Sequence, residues 1–528
     1  MLFNSFEFIF LFLPITVIGF SCIGKYGHKK LAVLWLVTAS LFYYSWWNPV
    51  YFWLITASIV FNYGIGTTLS KQLSLSKFSR KIILASGIAL NLSLLGYFKY
   101  ANFFLKNINS LLDQPIVHWD TIFLPLAISF FTFQQIAYLA DAYEDRVHEH
   151  SFLHYCLFVT FFPQLISGPI VHHKEMMPQF ERNSTYKLSS ENIAVGLTIF
   201  FIGLFKKAVL ADGIAVYAAP VFEAAEQNIL LTFLEAWGGA LGYTFQIYFD
   251  FSGYSDMAIG LGRMFGINLP LNFHSPYKAK SIIEFWRRWH ITLSRFLRDY
   301  LYIPLGGNRK GSVRRYLNLM IVMFLGGLWH GAGWTFIAWG AMHGFYLIIN
   351  NSWRTLLRAL GYDSNGSGWL GQRLSQIVTF TAVVLAWVIF RAESINGAEN
   401  VLKGMAGLNG FVMPESYLDG LNQIAPIKSF LANIGWEFHS LKFLQGKAEI
   451  LSLFFLLIVS WCAPNTQQIM HRYQSVFDIY RVEVKKWRWN FLRWTPNFAW
   501  FLFTLTLATI SIYRMMSYGY KEFIYRFF

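Results

Sequence analysis

Charged residues are scarce in this chain of 528 residues. Asp, Glu, Lys and Arg together make up 13% of it, about half the share that soluble domains carry. Aromatic residues reach 19%, and the mean hydropathy is +0.40. This balance excludes both an ordinary cytosolic enzyme and a disordered chain.

Cysteine is nearly absent, and so are the common catalytic motifs. Cys22, Cys156 and Cys462 each lie in an apolar run without metal-binding spacing, so we expect neither disulfides nor a metal site. The sequence contains no G-x-S-x-G, P-loop or H-E-x-x-H motif. The glycines of 253–266 imitate a dinucleotide fingerprint, but they lie inside an apolar run with no strand before them, which excludes that reading.

Long apolar runs are what the sequence does contain. They are continuous rather than alternating, which favours helices over a β-barrel. The runs are 6–24, 31–47, 50–69, 82–100, 121–140, 152–170, 192–210, 231–262, 316–331, 334–350, 374–391, 449–463 and 498–513. We predict an all-α, polytopic transmembrane bundle of about 11–13 embedded helices, some of them re-entrant or interfacial.

The excess of positive charge indicates the orientation of the chain. Lys and Arg outnumber Asp and Glu by 43 to 28, a net charge of +15. In a soluble protein this would suggest nucleic acid; here the positive-inside rule explains it, with anionic lipid headgroups as additional partners. Lys25, Lys29 and Lys30 and the basic segment 465–497 are predicted to be cytoplasmic. The N-terminus and the C-terminal tail then lie on the outer side.

The stretch Ser281–Tyr300 has apolar residues at steps of three and four, which predicts one continuous amphipathic helix with His290 at the edge of its apolar stripe. Basic residues are dense here and just beyond. They are Arg287, Arg288, Arg295, Arg298, Arg309, Lys310, Arg314 and Arg315. The simpler interpretation is a helix lying in the headgroup layer. The alternative adds a phosphate-bearing ligand, because Arg binds phosphate oxygens in a bidentate manner.

His330 lies deep in the apolar run FLGGLWHGAGW. An ionisable residue inside a membrane segment is a functional-site hypothesis by default. The flanking glycines allow a backbone or a substrate to approach closely. The alternative is a core histidine that hydrogen-bonds to a neighbouring helix.

Several segments together carry a family resemblance. FFPQLISGPI, FWRRWH, IPLGGNRKG and LWHGAGW are similar to segments of the membrane-bound O-acyltransferase (MBOAT) family, in the bacterial branch that O-acetylates alginate or peptidoglycan. The resemblance covers nearly the whole length. It implies a single membrane domain over 1–528, with N-terminal helices in 1–115, a catalytic core around a central tunnel in 116–391, and C-terminal helices in 392–528.

The resemblance also implies an activity. Family members move an acyl group from a cytosolic thioester, here expected to be acetyl-CoA, through the tunnel to an acceptor. In this branch a periplasmic acetyltransferase partner passes the acetyl group to an exopolysaccharide such as alginate or to cell-wall glycan, which places the chain in the bacterial inner membrane. The family's core histidine falls on His330 and its second site position on His290.

The chemistry of acyl transfer fits these assignments. The acceptor hydroxyl needs a base, and an imidazole such as that of His330 can supply it. Arg309, Lys310, Arg314 and Arg315 are expected to face the cytoplasm and bind the phosphates of coenzyme A.

The C-terminus offers a further candidate. It ends in EFIYRFF, which is similar to the C-terminal tyrosine motif of MBOAT-associated wall-acylation systems. Tyr525 is therefore predicted to reach back into the tunnel exit and to accept the acetyl group there, with help from His330. The alternative is an aromatic anchor at the membrane interface.

Three other functions stay open at this point. One is D-alanyl or other acyl transfer from a carrier-protein thioester. Another is a multi-helix solute transporter, although no internal repeat between two halves is visible. The third is a non-catalytic scaffold for polysaccharide export.

Overall fold

The computed structural model describes residues 1–70, 76–112, 121–147, 151–362, 368–414, 425–444, 446–473, 476 and 492–524. Within these ranges the regular structure consists of helices and one short two-stranded parallel sheet. The predicted all-α class is confirmed.

The helices lie on the predicted apolar runs, although several extend beyond their run and the run 152–170 forms two separate helices. The helices are α1 (Leu13–Lys25), α2 (Lys29–Ser45), α3 (Tyr51–Leu69), α4 (Lys77–Leu111), α5 (Ile128–Tyr143), α6 (Phe152–Thr160), α7 (Phe162–Leu165), α8 (His173–Glu181), α9 (Ser190–Phe205), α10 (Asp212–Glu226), α11 (Phe233–Met264), α12 (Ile282–Arg288), α13 (Ile291–Leu297), α14 (Gly311–His330), α15 (Trp334–Ala359), α16 (Trp369–Arg391), α17 (Ile395–Met405), α18 (Ala425–Asn433), α19 (Lys447–Cys462), α20 (Thr466–Ile469) and α21 (Phe498–Tyr518). The strands are β1 (Phe411–Met413) and β2 (Trp436–Phe438). Single π-helical turns occur at Phe8–Phe12, Lys206–Ala211 and Arg298–Tyr302, and short 3₁₀ turns at Asn183–Tyr186, Pro276–Lys278 and His471–Tyr473.

Six of the described helices are long and apolar enough to cross a membrane. They are Phe8–Lys25, Tyr51–Leu69, Lys77–Leu111, Ser190–Glu226, Trp369–Arg391 and Phe498–Tyr518. The other predicted spans also form helices, but these are shorter or more polar. The chain is therefore a multi-pass membrane protein, and the expectation of 11–13 embedded helices stays a prediction.

Helix α11, 32 residues long and almost wholly buried, is the centre of the bundle. Facing glycines bring it into backbone contact with α9. A Cβ atom on Gly203 would lie 2.5 Å from the carbonyl oxygen of Gly253, and one on Gly260 would lie 2.6 Å from that of Gly196. Only glycine allows this approach. The glycines that imitate a nucleotide motif therefore serve helix packing.

A π-helical turn between α9 and α10 carries two lysines that the sequence analysis did not single out. The ammonium of Lys206 lies 2.5 Å from Asp256 and donates to Thr466, the first residue of α20. The ammonium of Lys207 lies 2.5 Å from Asp250 and 2.8 Å from Asp212. Because isolated buried charges are costly, each lysine needs its partner on α11.

The segment that follows α16 is fixed by two carboxylates. Glu226, at the end of α10, accepts hydrogen bonds from the backbone N–H groups of Glu393 and Ser394. Glu235, in the first turn of α11, accepts from those of Lys442 and Phe443. These bonds hold residues 393–394 and 442–443 against the bundle.

The prediction of one continuous helix over 281–300 is wrong. Helix α12 ends at Arg288 and α13 begins at Ile291. Between them His290 adopts a left-handed backbone conformation, with φ 42° and ψ 54°. Such a conformation is uncommon for any residue other than glycine. The break turns the imidazole into the protein, away from the apolar stripe.

Candidate active site

His330 is the last residue of α14, and its side chain is only 2% exposed. The helix ends there because Gly331 and Gly333 have extended backbones before α15 begins. Aromatic rings enclose the imidazole: Trp339 lies edge-on at 5.1 Å between ring centroids and Phe390 at 5.3 Å. His330 is therefore held in a narrow aromatic enclosure.

The end of α14 is capped by two residues of α4. The ammonium of Lys99 donates to the carbonyl oxygen of Trp329 and, at 3.1 Å, to the hydroxyl of Ser129. The hydroxyl of Tyr100 donates to the carbonyl oxygen of Leu328 at 2.5 Å. The last carbonyls of a helix lack partners within it, and a cation is favourable at that end. Lys99 is buried, and both of its oxygen partners are neutral.

His290 is completely buried, and its ring lies 6.0 Å from that of Trp329 between ring centroids. Its Nδ1 atom lies 3.1 Å from Oδ1 of Asn272, which also accepts from the hydroxyl of Thr292. Because that oxygen is an acceptor, the neutral imidazole carries its proton on Nδ1 and a lone pair on Nε2. Phe251 packs edge-on against the ring at 4.8 Å.

The structure brings the two predicted histidines together. Their ring centroids are 6.5 Å apart, with planes inclined at 58°. The ring nitrogens are too far apart for a direct hydrogen bond, and one small acyl group between them could reach both. His290 and His330 come from separate elements, so only the fold places them side by side.

A cavity of about 550 Å³ lies between α12, α13, α14 and α15. Four arginines line it: Arg287, Arg295, Arg298 and Arg315. Arg295 forms an ion pair with Glu175, and Arg298 with Asp299. The cavity combines these cations with apolar side chains, which suits a ligand that has both anionic and apolar parts.

Only one of the four cations predicted for the donor site lines this cavity. Arg315 does so, whereas Arg309, Lys310 and Arg314 are exposed outside it. Arg309 and Lys310 precede α14, and Arg314 within it is turned about 100° away from Arg315. The other three cations of the cavity wall are Arg287, Arg295 and Arg298, which belong to the dense basic stretch of the sequence.

The C-terminal strap, residues 519–524, folds back onto α11. The side chain of Asn4 donates to the carbonyl oxygen of Lys521, and Lys207 donates to that of Glu522, each at 3.0 Å. The backbone N–H of Ile524 donates to Asp250 at 3.0 Å. Phe523 is buried. The strap is therefore bound through its backbone. Tyr525 lies outside the described residues.

Phe523 connects the strap to the histidine site. Its ring stacks on Tyr254 at 4.4 Å and contacts Phe251 at 5.4 Å. Phe251 in turn packs on His290.

Sequence reasoning missed Asn272, Lys99 and Lys207. Lys99 had a usable signal, because it is a lysine inside the apolar run 82–100. The described residues contain no group of three or more His, Cys, Asp or Glu side chains that could hold a metal ion. The three cysteines are free thiols.

A multi-pass helical bundle with two buried histidines beside an arginine-lined cavity has the form of a membrane enzyme with an anionic substrate. The sequence model of the membrane-bound O-acyltransferase family matches residues 41–389 of this chain. The peptidoglycan O-acetyltransferase of Helicobacter pylori is 44% identical over 506 residues, 90% of this chain and 91% of that protein. The chain belongs to the membrane-bound O-acyltransferase family and is an O-acyltransferase.

Two further relatives define the range of the similarity. A probable alginate O-acetylase of Pseudomonas putida is 41% identical over 442 residues, 82% of this chain and 86% of that protein. A teichoic acid D-alanyltransferase of Streptococcus thermophilus is 27% identical over 286 residues, 50% of this chain and 68% of that protein. Family membership favours the enzyme over the transporter and the scaffold.

Replacement of Lys99 tests the cap of α14. We expect Lys99→Met to lower acyl transfer about tenfold or more, because a charged hydrogen bond contributes about 1.5–3 kcal/mol and orients the helix end that carries His330. The measurement is the O-acetyl content of the cell's polysaccharide at matched protein level. Lys106→Met, an exposed position on the same helix, is the control. Full activity in Lys99→Met would contradict this role.

Proposed function

We propose that this enzyme transfers acetyl groups from cytosolic acetyl-CoA through the membrane, for O-acetylation of an exopolysaccharide such as alginate or of cell-wall glycan. The observation that carries the proposal is the placement of His330 at the end of the same helix that lines the arginine cavity. The names of the most similar relatives support acetyl as the acyl group and a polysaccharide as the acceptor. A periplasmic acetyltransferase would complete the transfer.

The proposed orientation puts the cavity on the cytoplasmic side of the inner membrane. Lys310 and Arg314, at the start of α14, are exposed and favour the cytoplasm by the positive-inside rule. The N-terminus and the strap would then lie towards the outer side. One membrane domain over 1–528, with its core at 116–391, stays a prediction; Lys99, which caps α14, lies outside that core.

The chemistry follows from the positions of the two histidines. His330 takes the proton of the acceptor hydroxyl while the hydroxyl oxygen attacks the thioester carbonyl. The tetrahedral intermediate then expels the coenzyme A thiolate, which receives that proton and leaves as the thiol. His290, whose Nδ1–H donates to Asn272 so that Nε2 carries the lone pair, is a second proton acceptor beside the reacting group.

The C-terminal strap supports Tyr525 as a covalent relay. Backbone bonds hold the strap as far as Ile524, and Phe523 contacts the ring that packs on His290. In the proposed step the hydroxyl of Tyr525 attacks the acetyl thioester, gives its proton to His330, and becomes an acetyl ester as coenzyme A leaves. The nucleophile of the partner then takes the acetyl group and frees the tyrosine.

A carrier-protein thioester is the second candidate donor. It is favoured by the similarity to a teichoic acid D-alanyltransferase. The two candidates differ in the size of the donor, since a carrier protein presents its acyl group on a phosphopantetheine arm without the nucleotide of coenzyme A. Binding of coenzyme A itself to the purified protein distinguishes them.

His330→Ala tests the proposed activity. We expect acetyl transfer to fall at least a hundredfold, because loss of a general base typically costs 10²–10⁴-fold, while the thermal unfolding midpoint stays near wild type. The measurement is acetyl release from radiolabelled acetyl-CoA by purified protein in detergent. His28→Ala, at an exposed position before α2, is the control. More than a tenth of the activity remaining would exclude the assignment.

Arg315→Gln tests the donor site. The variant removes a cation from the cavity wall, so we expect the KM for acetyl-CoA to rise about tenfold and to depend less on salt. Arg314→Gln is the matched control, because this neighbouring side chain is exposed outside the cavity. If the two variants had equal effects, the basic residues 309–315 would serve only to orient the chain in the membrane.

Tyr525→Phe tests the relay. It retains the ring and removes only the nucleophile, so transfer to the polysaccharide should be lost while acetyl-CoA binding persists. The control is Tyr520→Phe, at an exposed tyrosine within the strap. Polysaccharide acetylation at the wild-type level would mean direct transfer at His330.

A further inference from the structure

Helix α12 has only seven residues, and it supplies Ile283, Trp286 and Arg287 to the wall of the arginine-lined cavity. A helix this short is not stable on its own and needs contacts with its neighbours. Two residues of α15 provide hydrogen bonds to it. Oδ1 of Asn350 accepts from the backbone N–H of Ile283, and Nδ1 of His343 accepts from the indole N–H of Trp286, each at 3.3 Å. Being seven positions apart, these two residues lie on one face of α15.

The side chain of His343 is completely buried. Because its Nδ1 atom is an acceptor, the neutral imidazole carries its proton on Nε2. That atom is buried too, and within the described part of the chain nothing accepts a hydrogen bond from it. A buried donor without a partner is costly, so an apolar side chain would be more favourable at this position. The hydrogen bond with Trp286 is the feature that offsets this cost.

This hydrogen bond fixes the orientation of the Trp286 indole. The indole lies edge-on to the imidazole of His343, with 5.1 Å between ring centroids and 80° between the planes. It also contacts Trp339 at 5.8 Å, and Trp339 lies edge-on to His330 at 5.1 Å. Trp286 is half-buried, since it packs on these rings and also lines the cavity. The ring of Trp339 thus lies between this part of the cavity wall and His330.

We propose that His343 is a positioning residue for the acyl donor, because it holds the indole of Trp286 in the orientation in which this ring packs against the pantetheine arm of the thioester. The proposal rests on the function proposed above and assigns a residue to that same site. It holds for either candidate donor, since coenzyme A and a carrier protein both present the acyl group on a phosphopantetheine arm. The methyl and methylene groups of the arm suit an aromatic wall, whereas the phosphates suit the arginines.

Loss of the acceptor on His343 would change the position of the indole. The N–H of Trp286 would be left among apolar rings, where it has no partner. The cavity, with a volume of about 550 Å³, has room for water. Rotation of the ring towards the cavity would therefore satisfy the N–H and place the edge of the ring where the arm packs. Binding of the arm would weaken, while the contacts of the arginines with phosphate would remain.

The first experiment measures two parts of the donor separately. Purified wild type, His343→Leu and His343→Asn receive 4′-phosphopantetheine or adenosine 3′,5′-bisphosphate, which lacks the arm, and Kd is measured for each. A neutral hydrogen bond is worth roughly two- to tenfold in affinity. We therefore expect His343→Leu to raise the Kd of 4′-phosphopantetheine about fivefold and to leave that of the bisphosphate within twofold. His343→Asn should restore binding, because its amide oxygen takes the place of Nδ1.

Three results would overturn the proposal. They are an unchanged Kd in His343→Leu, an equal rise for both compounds, and no binding of 4′-phosphopantetheine to the wild type. Failure of the proposed donor is a different result, since it would show in the wild type as no transfer from acetyl-CoA, whatever the Kd of 4′-phosphopantetheine.

The second experiment tests whether His343 acts through Trp286. Trp286→Phe retains an aromatic ring and removes the N–H, so the double variant W286F/H343L should bind 4′-phosphopantetheine no more weakly than W286F. Losses that multiply would contradict the proposal. Trp35→Phe is the matched control, because this half-buried indole donates to the carbonyl oxygen of Thr16 at 3.0 Å and does not line the cavity. It should leave both Kd values at wild type.

Discussion

The active site depends on the hydrogen bonds that the carbonyl oxygens at the end of α14 receive inside an apolar bundle. A helix that ends there leaves carbonyl oxygens that neither lipid nor apolar side chains can pair. Lys99 and Tyr100 of α4 supply donors to two of these oxygens. His330 follows directly after the capped carbonyls, so the same contacts that stabilise the helix end also fix the position of its imidazole.

A second constraint is the neutralisation of charge along α11. Asp250 and Asp256 pair with the two lysines of the π-helical turn, and the backbone of the C-terminal strap joins the same network. Buried ion pairs of this kind add little net stability, but the loss of one partner is costly. The network therefore acts chiefly through geometry, since it sets how α9, α11 and the strap meet beside His290.

Sequence reasoning could predict what depends on local pattern. The apolar runs predicted where the helices lie, although α4 and α15 extend about ten residues beyond their runs, and the isolated polar residue in LWHGAGW marked His330. The break at His290 was not predictable from periodicity, because the stripe continues on both sides of it and tertiary contacts with Asn272 decide the backbone conformation. Which arginines line the cavity depends on which side chains of separate helices face each other. The density of basic residues therefore indicated the right region, but only one of the four cations predicted for the donor site lines the cavity.

The lysines of the π-helical turn also bear on how the protein is made. The span that contains Lys206 and Lys207 leaves the ribosome before α11 exists, and a lysine near the centre of a helix costs about 2.5–3.5 kcal/mol during insertion. Asp212 of the same span pairs with Lys207, but Asp250 and Asp256 arrive only some 40–50 residues later. This span is therefore a poor candidate for lipid entry by itself and is best released from the insertion machinery as a hairpin together with α11. The strap is synthesised after α21 and joins the network later still.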